Sequence, residues 1–348
     1  MGDDLKTIKL AAAQINSVFL DREASVDKAC DFIREAGQKG ADIIGFPEGF
    51  IPAHPAWYGY LPANGGKSIP LAQELFKNAV EIPGATTDKL GQACRDGNIT
   101  AVIGVCEKYA NTTGTMFNTQ IFIGPDGALL GKHQKLVATV GERLVHTGGY
   151  GDTLTTFDAP FGAISGLICG ENSNPLAVYA MMAMHTMVHV AAWPPHFGGT
   201  RRMHKDIRAV TPGLAYSLGA FVINSASTVT DELIDLYAAT DEDREHLASL
   251  KNVGTVSIIN PSGDIIAEST GGGDQILYAD ADLNEVYGAK LVHDYAGHYN
   301  RFDIFSVSIN RHAPKSLNLG NEASQPTAQP ETSTSLYPHL EVLEGGGE

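Results

Sequence analysis

The sequence has few cysteines, few basic residues and no long apolar run. Only four of its 348 residues are cysteine, and no two have the close spacing typical of zinc sites or disulfide-rich domains. Lys and Arg total 24 against 40 Asp and Glu, which gives a formal net charge of −16. Since phosphate backbones are bound by clustered basic side chains, this charge argues against nucleic acid and anionic membranes as partners. Without a run of about 18 apolar residues, we expect no membrane-spanning helix.

The composition also indicates a compartment. The N-terminus opens on Gly2, Asp3 and Asp4, which is acidic where a signal peptide is basic. We therefore expect a cytoplasmic protein whose cysteines stay reduced, so that a functional cysteine is a nucleophile and not half of a disulfide bond. With 43% apolar residues, a chain of this length can bury a large core without disulfides or metals.

Apolar strand patterns alternate with helical patterns, which predicts an α/β protein. The expected strands are residues 8–15, 42–46, 101–108, 118–124, 161–169, 188–192 and 221–225. The expected helices are residues 21–36, 172–185 and 200–218. Asp21 is the predicted N-cap of the first helix, and Gly37 is its predicted stop. Two hairpins, at residues 120–131 and 256–268, are expected to turn at Pro-Asp-Gly and Pro-Ser-Gly sequences.

Two segments depart from this alternation. Residues 230–250 carry seven acidic residues and one Arg, and we expect an exposed helical excursion there. Beyond residue 310 the chain is rich in Pro, Ser, Thr, Asn and Gln, which predicts a low-complexity tail over residues 311–348, either mobile or docked on another subunit. No Pro/Gly-rich linker divides residues 1–310, so we expect them to form one domain.

Glu48 directly follows a predicted buried strand, in the sequence Phe46-Pro47-Glu48. Partial desolvation at such a position raises the pKa of a carboxyl group, which a general base working near neutral pH requires. The alternative for a single glutamate after a strand is a helix cap or a surface position.

Cys169 lies between a predicted strand and a predicted helix, in the sequence Leu-Ile-Cys-Gly-Glu-Asn. This order is typical of a nucleophile elbow, where a tight turn presents the reactive atom. Backbone N–H groups at the start of the next helix would lower the thiol pKa and could bind an oxyanion. The other cysteines, Cys30, Cys94 and Cys106, lie inside predicted helices or a strand and fit small core residues.

Lys135 follows the first predicted hairpin, and Glu142 lies a few residues further on. A lysine held beside a thiolate and a carboxylate can stabilise the negative charge of a tetrahedral intermediate. The alternative for a lysine after a hairpin is a solvated surface position.

Together these motifs resemble the Glu-Lys-Cys triad of the nitrilase superfamily of carbon–nitrogen hydrolases. The three motifs are Phe-Pro-Glu-Gly-Phe-Ile-Pro around Glu48, His-Gln-Lys-Leu-Val-Ala-Thr-Val-Gly-Glu-Arg around Lys135, and Leu-Ile-Cys-Gly-Glu-Asn around Cys169. The resemblance covers about residues 8–303. It is closer to the nitrilase branch than to the amidase or carbamoylase branches on the strength of residues 20–25, 141–145, 174–177 and 297–299.

The resemblance implies a four-layer α-β-β-α sandwich that forms a homo-oligomer, either a dimer or a larger spiral assembly. It implies that Cys169 is the nucleophile, Glu48 the general base and Lys135 the stabiliser of the intermediates, with Glu142 orienting the lysine. It implies no metal and no organic cofactor. In one departure, Gly170 stands where many nitrilases have Trp, so the substrate class cannot be copied from those members.

The implied reaction is hydrolysis of a small organic nitrile by water, through a cysteine-bound thioimidate and thioester, to a carboxylic acid and ammonia. The alternatives are an amidase or a cyanide-hydrating enzyme with the same triad. From different classes, the alternatives are a non-catalytic assembly protein, or an acyltransferase, which would carry a membrane or lipid-binding region. The sequence leaves open the nitrile class, the stereochemical preference, the acid-to-amide ratio and the number of subunits.

Further polar and aromatic residues follow strand ends near the expected site. Those expected in a substrate pocket are His54, Trp57, Tyr58, Gly170, Trp193 and His196. His185 and His189 have the spacing of a metal pair on a helix, but residues 188–192 predict a strand and no acidic ligand is near, so we expect no metal. Gly271-Gly272-Gly273 lacks the lysine and helix of a phosphate-binding loop and is predicted to be a turn.

Overall fold

The computed structural model describes residues 6–196, 198 and 201–314. The strands are β1 (Thr7–Gln14), β2 (Ile43–Gly45), β3 (Thr100–Lys108), β4 (Met116–Ile123), β5 (Leu129–Gln134), β6 (His146–Thr147), β7 (Phe157–Ala159), β8 (Gly162–Ile168), β9 (Val188–Trp193), β10 (Phe221–Ala226), β11 (Ser257–Ile259), β12 (Ile265–Glu268) and β13 (Gln275–Asp282). The helices are α1 (Arg22–Gln38), α2 (Ser68–Asn78), α3 (Ala85–Gly97), α4 (Pro175–Ala183), α5 (Met203–Leu218), α6 (Asp231–Tyr237), α7 (Asp241–Ala248) and α8 (Asn284–His293). Short 3-10 helices lie at Ala56–Gly59, Val140–Leu144, Gly151–Thr153 and Cys169–Ser173.

The strands form two sheets joined at one point. The first sheet has the order β13-β1-β2-β3-β4-β5, with β6 paired to β4, and the second has the order β12-β11-β10-β9-β8-β7. Gln14 of β1 and Ala226 of β10 are the registered pair that connects them. In each sheet the central strands are parallel and the outer strands antiparallel.

The two sheets pack face to face. A Cβ atom on Gly45 of β2 would lie 2.8 Å from Val190 Cγ1 of β9, so the absence of a side chain there allows the close approach. The Gln120 side chain of β4 donates a hydrogen bond to the Val190 carbonyl at 3.1 Å. The Phe122 and Phe157 rings meet at 4.4 Å between centroids. These contacts join the two sheets across a layer of buried, largely apolar side chains.

Helices cover the outer faces of both sheets. In β1, Leu10 and Ala12 face the second sheet, while Ala11 and Ala13 pack with α1 and α3, as the two-residue period of a strand requires. Met181 of α4 and the residues of α5 cover the other sheet. The expected four-layer α-β-β-α sandwich is confirmed.

The structure confirms most predicted elements and corrects three. Asp21 caps α1 through a 3.0 Å bond from the Ala24 N–H, and both predicted hairpins form. Gly37 does not stop α1, which continues to Gln38. The glycine instead allows α1 to pack closely on α3, because a Cβ at this position would lie 2.3 Å from the Gly97 carbonyl oxygen. The single helix expected at residues 172–185 is a 3-10 turn followed by α4, which begins at Pro175.

Residues 230–250 are not the exposed excursion that was expected. They form α6 and α7, which bury Ile234, Tyr237 and Leu247 in a cluster with Trp57. Their acidic residues lie on the outward faces, so charge counting alone concealed the apolar ones. This segment therefore packs on the molecule through an apolar face that includes these three residues.

From residue 315 onward, the predicted tail over residues 311–348 lies outside the described residues. Its role remains a prediction, as does the one-domain reading of residues 1–310. Among the residues described, no helix is both long and apolar enough to cross a membrane.

Candidate active site

Glu48 is placed by the turn that follows β2. The Glu48 N–H donates to the Trp193 carbonyl at the end of β9, at 3.3 Å. The turn passes directly over Gly104 of β3, where a Cβ would lie 2.1 Å from the Pro47 carbonyl oxygen. The side chain of Glu48 is fully buried. Backbone contacts from two strands therefore fix this carboxylate.

Cys169 follows β8 in a strained turn. Its φ is +53°, a region that residues other than glycine rarely adopt. Asn172 holds the turn by donating to the carbonyls of Leu167 at 3.1 Å and Cys169 at 3.0 Å. Glu171 accepts the Ile168 N–H at 2.9 Å, and through its other oxygen the Leu136 N–H at 2.7 Å. This is the strand, tight turn and helix order that the sequence predicted.

A buried lysine joins two carboxylates. Lys135 follows β5, and its ammonium group donates to Glu48 Oε1 and to Glu142 Oε2, each at 2.7 Å. The amide of Asn118 donates to Oε1 of both carboxylates, again at 2.7 Å each. His146 Nδ1 lies 3.1 Å from Glu142 Oε1. Lys135 and Asn118 thus each donate hydrogen bonds to both glutamates and hold them together.

The charges in this network lower the pKa of both carboxyls. Burial raises the pKa of Glu48, but Lys135 and His54 outweigh burial and bring it below its ordinary value. The same balance of burial against Lys135, with help from His146, holds the pKa of Glu142 well below its ordinary value. Burial lowers the pKa of Lys135, but the two glutamates raise it above its ordinary value. The expected rise in the Glu48 pKa is therefore wrong, because Lys135 and His54 together outweigh desolvation, which is the largest single cause.

The Cys169 thiol is also different from expectation. Burial and the neighbouring Glu48 raise its pKa, and Lys135 and the Gly170 N–H offset this only in part. The resting pair is therefore a neutral thiol beside an ionised carboxylate. Nucleophilic attack by sulfur then requires transfer of the thiol proton to a base.

One cavity of about 260 Å³ brings the four predicted residues together. Glu48, Lys135, Glu142 and Cys169 all line it. The remaining described lining is mostly apolar or small: His54, Pro55, Ala56, Tyr58, Gly59, Thr139, Val140, Gly141, Pro194, His196 and Gly198. Burial lowers the pKa of His196 to about 3, so this side chain is neutral near pH 7.

Three of the six predicted pocket residues, His54, Tyr58 and His196, line this cavity. The other three are corrected. Trp57, in the 3-10 helix Ala56–Gly59, and Trp193, the last residue of β9, are instead buried among apolar core residues. Gly170 does not line the described cavity, and a Cβ there would meet no described atom within 4 Å.

Sequence reasoning missed the residues that support the site. Asn118 lies within β4, and Glu171 and Asn172 follow Cys169. His189, considered above as a metal ligand, instead lies 2.9 Å from Asn172 Oδ1 and 2.8 Å from Ser165 Oγ. A buried polar residue in an apolar strand needs a partner, and this was the signal available for Asn118 and His189.

Three groups of the site are close enough to share a cation. Ligand atoms of Glu48, His54 and Glu142 lie within 4.8 Å of one another. The Lys135 ammonium group already lies 2.7 Å from both carboxylates, so a metal ion between them would meet a like charge. The arrangement is suited to an ammonium group as its resident cation.

Comparison with known proteins identifies the family. Residues 9–291 match the family described as carbon-nitrogen hydrolase. The chain belongs to the carbon–nitrogen hydrolase family. It is 34% identical over 322 residues to a nitrilase of Bacillus sp. (strain OxB-1), covering 92% of this chain and 93% of that one. This similarity places it in the nitrilase branch of that hydrolase superfamily.

The chain is also similar to two other proteins, one in sequence and one in structure. A cyanide hydratase of Gibberella baccata is 30% identical over 320 residues, covering 88% of each chain. The crystal structure of a carbon-nitrogen hydrolase from Helicobacter pylori superposes with a TM-score of 0.63 at 14% identity, covering 82% of this chain and 92% of that one. That second likeness shows the shared fold.

Proposed function

We propose that this carbon–nitrogen hydrolase converts a small organic nitrile and water to a carboxylic acid and ammonia. The observation that carries the proposal is the single cavity in which the Cys169 thiol and the Glu48 carboxylate meet, with Lys135 bridging Glu48 and Glu142. The similarity to a nitrilase over nine-tenths of the chain supports the same activity. Cys169 is the nucleophile, Glu48 the general base, Lys135 the electrostatic stabiliser and Glu142 the residue that orients the lysine.

The first step forms a covalent thioimidate. Glu48 takes the thiol proton as sulfur bonds to the nitrile carbon, and the nitrogen gains that proton as the triple bond becomes a double bond. Lys135 and the Gly170 N–H stabilise the negative charge that develops. The lowered pKa of Glu48 keeps the carboxylate ionised and able to accept the proton.

Water then completes the reaction in two additions. The first water adds to the thioimidate carbon, and the tetrahedral intermediate expels ammonia to leave a thioester. The second water adds to the thioester carbon, the carbon–sulfur bond breaks, and the acid and free thiol are released. If the first tetrahedral intermediate expels sulfur instead, the product is an amide.

Cyanide hydration is the second candidate. It stops at the amide stage, and both the cyanide hydratase relative and the small cavity favour it as the alternative. An amidase with the same residues, and a protein without catalytic activity, are less favoured. Which leaving group departs from the tetrahedral intermediate decides between acid and amide.

The test compares nitriles, amides and cyanide side by side for ammonia, acid and amide formation. We expect ammonia from at least one nitrile, and a mass increase on Cys169 when a slow substrate is trapped. Cys169→Ala should abolish both, whereas Cys30→Ala, which changes a buried cysteine of α1, should retain activity. The proposal would be refuted if amides were turned over faster than every nitrile. It would also be refuted if cyanide were the one substrate converted and its product were an amide.

We further propose that the enzyme is a cytoplasmic homo-oligomer. All four cysteines are free, which suits a reducing compartment in which Cys169 stays a thiol. Large apolar side chains are exposed along and beyond α8: Leu291, Val292, Phe302, Ile304 and Phe305. Apolar surface of this extent is typical of a subunit interface.

A further inference from the structure

A second cavity, of about 450 Å³, also reaches Glu48. Among the described residues, it shares only Glu48 and His54 with the first cavity, and neither Cys169 nor Lys135 lines it. Gly49, Phe50 and Ala53 complete its wall around the glutamate loop. The second cavity thus approaches the proposed base without passing the proposed nucleophile.

Away from Glu48, the second cavity is lined by both apolar and polar side chains. The polar ones include Asn16, Ser17, Lys28, Ser227, Thr230, Glu232 and Asp274. Lys28 and Asp274 form an ion pair at 2.5 Å, and each is about 30% exposed, so this part of the cavity opens to solvent. Val18, which is 40% exposed, lies on the same rim. A cavity of this size, with polar side chains in its wall and access to solvent, has room and hydrogen-bond partners for water molecules.

The two oxygens of Glu48 have different surroundings. Oε1 accepts hydrogen bonds from Lys135 and Asn118, both at 2.7 Å, and lies 3.3 Å from His54 Nε2. Oε2 is fully buried and accepts no hydrogen bond from any described residue. Leaving such an oxygen unpaired costs about 1–3 kcal/mol, so it is well placed to accept a hydrogen bond from a reacting molecule.

The first cavity is small for both an acyl group and an attacking water. At about 260 Å³ it lies below the usual volume of ligand sites, roughly 300–1,000 Å³. An acyl group bonded to Cys169, which lines this cavity, would occupy part of that volume. Water that enters through the first cavity would then have to share that volume with the substrate.

We propose that the second cavity supplies the hydrolytic water to Glu48 while the first is filled by substrate. This inference rests on the proposed function. In the step concerned, Glu48 takes one proton as the water oxygen bonds to the thioester carbon. The carbon–sulfur bond then breaks, and the proton passes from Glu48 to sulfur. The products are R–COOH and the free Cys169 thiol.

The test fills the second cavity with a larger side chain at its rim. Val18→Trp and Leu233→Trp each place an indole at a lining position outside the proposed catalytic groups. Ile266→Trp is the matched control, because Ile266 is also 40% exposed and lines neither cavity. Two filling positions are used so that a folding defect in one variant, visible as a lowered melting temperature, leaves the other informative.

We expect both filling variants to lower steady-state kcat by about fivefold or more, with the single-turnover rate of adduct formation changed by less than about twofold. Intact mass spectrometry should show more acyl-enzyme at steady state than in the wild type or in Ile266→Trp. The inference is overturned if kcat and adduct level stay unchanged, or if adduct formation slows as much as kcat. Absence of any adduct and of ammonia in the wild type would instead refute the proposed function.

Discussion

At the scale of single residues, Lys135 has the largest electrostatic effect in the site. It is 2% exposed, and its single positive charge lies between two buried carboxylates, so its removal leaves two like charges side by side. Breaking a buried ion pair by removing one partner is far more costly than removing an exposed one, because the remaining charge is neither hydrated nor paired.

We predict that Lys135→Met lowers kcat/KM for nitriles by about 10³-fold and destabilises the protein by about 3–5 kcal/mol at pH 7. With the lysine present, both carboxyl pKa values are lowered by folding. Their contribution to stability is therefore complete above the ordinary pKa, about 4.3, and is lost as pH falls through the folded values.

Without the lysine, burial and mutual repulsion raise at least one carboxyl pKa, so the sign reverses and the variant loses stability as pH rises. Urea denaturation of wild type and variant between pH 4 and pH 8 measures this difference. Parallel stability curves would contradict the assigned electrostatics. Lys89→Met serves as a control, since Lys89 forms an exposed ion pair with Asp27.

Residue-scale features differed in how far the sequence revealed them. Glu48, Lys135 and Cys169 stand next to strand ends in motifs that a resemblance identifies. Asn118 could not be found that way, because its function depends on two carboxylates 70 and 24 residues away in the chain. The direction of the Glu48 pKa shift could not be predicted from the sequence either, because it depends on the Lys135 ammonium group at 2.7 Å.

At the scale of elements, the turn after β2 depends on β3 beneath it. The Pro47 carbonyl and the Glu48 Cα cross Gly104 so closely that a methyl group at Gly104 would overlap both, at 2.1 Å and 3.0 Å. The absence of a side chain at Gly104 therefore determines how closely the turn lies to the sheet. Alternation of strands and helices was readable from the sequence, but this crossing was not.

We predict that Gly104→Ala destabilises the protein by about 1–3 kcal/mol and lowers kcat by about tenfold or more, because the turn must lift and carry Glu48 away from its partners. Gly213→Ala in α5 is the control. A Cβ at Gly213 meets no described atom within 4 Å, and alanine favours a helix. Thermal melting and nitrile turnover measure both variants; equal kcat in Gly104→Ala and wild type would show that the crossing does not position Glu48.

At the scale of the whole molecule, apolar residues divide into those that fill the sandwich and those left on one exposed segment. Leu291 is 80% exposed and Phe305 is 66% exposed, whereas the apolar residues of the core are almost fully buried. Sequence patterns indicated an α/β protein, and the family resemblance implied the four layers. No helix was predicted at residues 284–293, and the pattern alone could not show that Leu291 is exposed, because apolar residues of a core and of a subunit interface are alike in composition.

We predict that Leu291→Asp shifts the proposed oligomer toward the 37.0 kDa single chain, because it places a charge in the proposed apolar interface. Ile69→Asp is the control, as Ile69 of α2 is 51% exposed and distant in sequence from that segment. Light scattering coupled to size-exclusion chromatography gives the mass. A wild-type mass of one chain would refute the proposed assembly, and an unchanged mass in Leu291→Asp would remove α8 from the interface.

The pairing of β1 with β13 has a consequence for biosynthesis. Thr7 pairs with Asp282, so one of the first strands to leave the ribosome waits for one of the last. At about 10 residues per second the interval is roughly half a minute. During that time one edge of β1 is available to other nascent chains or to chaperones. Growth temperature and chaperone supply should therefore affect the yield of this enzyme more than its final stability would suggest.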